Sequence, residues 1–99
     1  MKLNITTPVA GKQFRVDFVE VEGPATFSLA IDSMLLLTHT CPDPPCHEMV
    51  AFVPVEAAGR VLQLTGMVVD LKTRAAREMV WKSPIESAET DQSTRILTF

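Results

Sequence analysis

The chain has 99 residues, of which 46% are apolar and 21% charged, with a net charge of −3. That length is one domain of ordinary size, and an apolar fraction this high argues against a disordered chain. The slight negative charge, with no basic stripe, offers no footprint for a phosphate backbone, so nucleic-acid binding is not expected.

Apolar runs such as Met34–Leu37 fall far short of the ~20 residues that a membrane helix needs. No membrane insertion is expected from them. The opening "MKLNITTPVAG" has one lysine and no apolar h-region, which is not the pattern of a signal peptide. The compartment is therefore left open by composition; bonded cysteines would favour an extracytoplasmic one.

In chain order, Phe14, Val16 and Phe18 alternate with Arg15 and Asp17, the period of a half-buried strand. The phase slips at Val19, and a bulge there would restore the inward face. Glu20 and Glu22 read as solvated. Gly23-Pro24 is punctuation. Phe27, Leu29 and Ile31 then alternate with Thr26, Ser28 and Ala30, and Asp32-Ser33 reads as a turn. Met34 to Thr40 reads as a strand buried on both faces.

"CPDPPCHE", residues 41–48, is a loop, because its three prolines do not suit a sheet or helix interior. Met49 to Val53 is a further apolar run. "PVEAAGR" is a corner with one helical turn, ended by Gly59. Val61 to Leu71 is the longest extended segment, with Gly66 as a candidate bend. "ESAETDQST", residues 86–94, reads as a loose polar segment. Ile96, Leu97 and Phe99 close the chain as a strand or a docked tail.

Residues 70–82 fit two patterns. As a helix over 71–82, Asp70 is the N-cap, Leu71, Ala75, Ala76, Met79 and Val80 form a stripe, and Arg74 pairs with Glu78. As a hairpin, the chain turns around Lys72 to Ala75 and returns with Met79 and Trp81 inward, the strand ending before Ser83-Pro84. Regular strand spacing elsewhere favours the hairpin. The expected core is Phe14, Phe18, Phe27, Leu29, Leu62, Leu64 and Trp81, with Met34, Met49, Met67 and Met79 as filler.

Three segments carry a family likeness. "ITTPVAGKQFRV" has a Pro-x-x-Gly step before an alternating run, "ATFSLAIDSM" ends in an Asp-Gly-type turn with Ser33 in the glycine position, and "GRVLQLTGMVVDLKT" is a long strand from a glycine corner. Together they resemble a bacterial immunoglobulin-like domain, over residues 3 to 82. The chain departs from the antibody pattern, since Cys41 and Cys46 are too close for an intersheet bridge and Trp81 lies late. The resemblance implies a two-sheet sandwich without catalytic residues, serving as a spacer, adhesion or recognition module.

The loop at 41–48 carries the chemistry. Cys41 and Cys46, the only two cysteines, flank a proline-stiffened turn that can bring their Cα atoms within the ~4.4–6.8 Å that a disulfide requires. The alternative is a zinc or copper site using Cys41, Cys46 and His47, with Glu48 or His39 as a fourth ligand; the spacing lacks a second ligand pair. A reactive thiol, with His47 as base to Cys46, ranks third.

The composite expectation is an all-β domain, a small antiparallel immunoglobulin-like sandwich of about seven strands; the alternative is α+β. Its function is a non-enzymatic interaction or structural module without cofactor. The binding loop comprises Cys41, Pro42, Asp43, Pro44, Pro45, Cys46, His47 and Glu48. A protein partner is expected there, or at an open sheet edge that could equally take a second copy.

Overall fold

A computed structural model describes all residues, 1–99. The chain is all-β, with eight strands and one short 3₁₀ turn. In order they are β1 (Lys2–Thr6), β2 (Gln13–Glu20), β3 (Ala25–Ile31), β4 (Met34–Cys41), β5 (Met49–Phe52), the 3₁₀ turn Val55–Ala57, β6 (Val61–Val69), β7 (Ala76–Pro84) and β8 (Thr94–Thr98). They form two four-stranded sheets, ordered β5-β2-β1-β8 and β4-β3-β6-β7. Every ladder is antiparallel. The chain crosses between sheets after β2, β4, β5 and β7, and makes same-sheet hairpins after β1, β3 and β6.

The inward phases read from alternation hold. Phe14, Phe27, Leu29, Leu62 and Leu64 are completely buried, and Phe18 and Trp81 pack against them half-buried. Phe14 stacks on Trp81, with centroids 6.1 Å apart. No polar or charged residue is buried, so apolar patterning alone defines the interior. The phase slip in β2 is a bulge: Leu3 stands opposite Phe18 and Lys2 opposite Glu20, leaving Val19 unpaired. Val21 then packs against the core.

Asp32 and Ser33 both have positive φ, 46° and 70°. They form the two-residue turn of the β3–β4 hairpin, in which Ile31 pairs with Met34. Positive φ at both central positions matches the right-handed strand twist.

The hairpin, and not the helix over 71–82, occupies the ambiguous segment. Asp70 does cap, as its residue type suggests: its carboxylate accepts from the N–H of Lys72 at 2.7 Å and of Thr73 at 3.3 Å. The chain then reverses through Arg74 at φ 61°, and Ala76 pairs back with Val69. A helix would leave the whole edge of β6 unpaired. The ladder also runs further than expected, to Pro84 opposite Val61. β7 is an edge strand, where a missing N–H is tolerated.

Other expectations are corrected. β4 is an edge strand, not a doubly buried one, and Met34 and Leu35 are 67% and 61% exposed. Met67 is also exposed, so of the four methionines expected inside only Met49 and Met79 are core filler. Gly66 is no bend. It pairs in register with Phe27 and leaves room for that ring. Residues 86–94 are tied down rather than loose: Gln92 Nε2 donates to the carbonyls of Gln13 and Thr7, and Lys12 Nζ to that of Thr90.

Glu22 is not a free surface carboxylate. It contacts the Met1 amino group and Arg77 Nη2. Partial burial alone would raise its pKa, but the hydrogen bond from the amino group, a backbone hydrogen bond and the nearby positive charges together hold it below the usual carboxylate range. The closing strand β8 pairs with β1 and makes the eighth strand where about seven were expected.

Candidate functional site

The 41–48 segment is the crossover from one sheet to the other. β4 delivers Cys41, paired with Ala25, as the last residue of its ladder. β5 collects the chain at Met49, opposite Val16. Cys41 and Cys46 are joined in a disulfide, with Cα atoms 5.5 Å apart. The spacing argument for the bond therefore holds. Cys41 is buried and Cys46 half-buried, while Pro42, Asp43, Pro44 and Pro45 stand exposed.

Both ends of the loop are anchored. The disulfide fixes the β4 end. At the β5 end, Glu48 Oε2 accepts from Arg15 Nη2 at 2.8 Å, and Arg15 Nε donates to Asp17 at 2.9 Å. Asp17, through its hydrogen bond and charge, and then Glu48 raise the Arg15 guanidinium above its already high pKa. These three side chains are about half exposed, so the cluster orients the loop more than it stabilises the fold.

Two open recesses flank the loop. One, about 260 Å³, is lined by His39, Thr40, Asp43, His47 and the disulfide. The other, about 390 Å³, lies between Pro44 and Pro45 on one side and Phe18, Val19 and Val21 of the bulged β2 end on the other. His39 stacks on Phe18, with ring centroids 5.4 Å apart. It thus covers the rim of the core and borders the first recess at once. Its closeness to the loop comes from the β3–β4 ladder, where it pairs with Phe27. Nothing in the sequence links Arg15 or Asp17 to Glu48, since they lie on different strands.

The chemistry available follows from the bonding state. A disulfide sulfur is neither a thiolate ligand nor a thiolate nucleophile. In this state, the donor set Cys41, Cys46 and His47 is not assembled, and no three His, Cys, Asp or Glu side chains converge on a point that could hold a metal ion. The loop does present a pre-ordered ridge of exposed prolines and carboxylates between two open hollows. No helix is long and apolar enough to cross a membrane. No family model, curated protein or solved structure matches the chain.

Proposed function

We propose that this chain is a non-enzymatic, immunoglobulin-like interaction module that binds a protein partner through the disulfide loop, residues 41–48. The observation that carries this reading is the loop itself: a ring closed by Cys41–Cys46, anchored by Glu48 to Arg15, with recesses on both flanks. A segment already ordered loses little entropy on binding, and sandwich scaffolds carry recognition on the loops at their ends. The strand order supports the immunoglobulin-like assignment. β1, β2 and β5 share one sheet and β4, β3, β6 and β7 the other, as in sandwiches whose fourth strand has moved to the second sheet, with β8 added beside β1. The bonded cysteines are compatible with an oxidising, extracytoplasmic compartment. Open sheet edges give a second route to a partner or a second copy.

The test is affinity capture with the native chain and with a Pro44→Ala, Pro45→Ala variant of equal thermal stability. Loss of the captured partner in the variant supports the loop. Unchanged capture moves the site to a sheet edge. A catalytic activity or a stoichiometric metal that disappears in Cys46→Ser overturns the reading.

A further inference from the structure

Edge strands are where a sandwich exposes unpaired backbone N–H and C=O groups. This molecule has four: β5 and β8 in one sheet, β4 and β7 in the other. Three are guarded. β5 is only four residues long. Beyond it the outer half of β2, which β5 does not reach, faces Pro44 and Pro45, and proline has no N–H to give a ladder. β7 carries Arg77, Glu78 and Lys82 and ends in Pro84. β8 is five residues long and carries Arg95. β4 has none of these devices except a bulge at Leu36, where Leu29 pairs with Leu37 and Ala30 with Leu35. It runs eight residues without an acidic or basic side chain other than His39, and its own Met34 and Leu35 are exposed.

The geometry points to β4 as a self-association edge: two copies pair β4 with β4, antiparallel about a two-fold axis, and join their β4-β3-β6-β7 sheets into one continuous sheet. This deepens the interaction-module reading and rests on its edge route; of the loop it uses only Pro42 and Asp43, at the end of β4.

The occupant is a second copy because the two ends of β4 are complementary. At the Met34 end, Arg60 borders a recess of about 160 Å³ with Met34, Leu36 and Pro54. Its contact with Asp32 is long, at 3.7 Å. At the Cys41 end stands Asp43, beside Pro42, and Asp43 takes part in none of the molecule's ion pairs. An antiparallel two-fold brings the Met34 end of one copy to the Cys41 end of the other. Arg60 then meets Asp43 and Leu36 meets Pro42, twice per dimer. A parallel pair would set each end against its like and gain neither contact. The bulge leaves Leu37–Cys41 as the regular stretch, so the register centres on His39. The assembly closes at two copies, because the edges that remain are the guarded ones.

Sedimentation equilibrium of the full chain, from micromolar to millimolar, tests this. The expected result is a reversible monomer–dimer equilibrium. Thr38→Lys, an exposed position of β4 one residue from the two-fold, sets two like charges diagonally across the seam, about 7–8 Å apart, and is expected to weaken the dimer about tenfold or more. Arg60→Glu and Asp43→Lys should each weaken it, and the two together should restore it. Ile96→Lys, on β8, should leave it unchanged. A chain with native circular dichroism that stays monomeric throughout overturns the proposal, as does a dimer indifferent to Thr38→Lys or one that the paired charge swap does not restore. The Pro44→Ala, Pro45→Ala variant separates the two readings. A dimer that survives when loop capture is lost upholds the edge, and loop capture by a chain that never dimerises sinks the edge and leaves the loop standing.

Discussion

Gly66 shows how tightly a single position is specified. A Cβ placed there would stand 2.7 and 2.8 Å from two carbons of the Phe27 ring, and 3.1 Å from Met79 Sδ. The ring lies in a completely buried layer and has no free direction in which to yield. Gly66→Ala is expected to cost about 1–3 kcal/mol by overpacking. It should show as a lower denaturation midpoint at unchanged slope; an unmoved midpoint would mean that the ring relaxes freely. Ser33 is the opposite case. It occupies a left-handed conformation at φ 70°, where a side chain costs about 1–2 kcal/mol that glycine does not pay. The extra freedom of glycine in the unfolded chain removes part of that gain. Ser33→Gly should therefore raise stability by about 0.5 kcal/mol, a small upward shift in Tm. Asp32 must stay, since its carboxylate accepts from the Val61 N–H at 3.3 Å.

At the scale of the element, the 41–48 crossover behaves as a closed ring. Cross-linking so short a loop is worth about 2 kcal/mol in the chain-entropy account. Changing both Cys41 and Cys46 to Ala should remove that amount. It should also loosen the loop while leaving the strand signal in circular dichroism intact. Thiol titration of the denatured, unreduced protein should find no free thiol; two free thiols would reopen the metal reading. The 70–76 turn teaches a different lesson. Its capping chemistry was legible, because Asp70 accepts from the following N–H groups in a helix start and in this turn alike. The element beyond the cap was not legible. Local propensity in Ala75-Ala76 favours a helix, but β6 needs a neighbour, and residues 76–84 supply it along its full length.

For the whole molecule, the consequence is cooperativity. Of the buried apolar residues, all but Val9 and Cys41 belong to one cluster spanning both sheets, and Trp81 packs against it through Phe14. Neither sheet has a second apolar layer to retain if the other departs. Trp81 fluorescence and far-ultraviolet circular dichroism should therefore trace a single coincident unfolding transition in denaturant. Non-coincident midpoints would show that one sheet outlasts the other. The ladders β1–β8 and β2–β5 join segments distant in the chain, so refolding is expected in the millisecond-to-second range typical of such topologies.

What the sequence determined by itself was which way each strand faces and where the chain turns. Alternation at Phe14–Phe18 and Phe27–Ile31 reports a side chain's face directly, because successive residues of a strand point to opposite sides. Asp32-Ser33, Gly59 and the proline-spaced cysteine pair act within a few residues, so their local chemistry was enough to find them. What only the tertiary structure decided was the lane that each strand occupies. Met34–Leu37 is as apolar as a central strand, and its place at the edge of its sheet depends on β3 pairing with β6 on its other side. The same non-local pairing chose hairpin over helix at residues 70–82. It also brought His39 to the border of the disulfide loop and Arg15 to Glu48. Periodicity is a property of one strand and its own backbone. Which strands become neighbours is settled by contacts between distant segments, and these leave no local pattern to read.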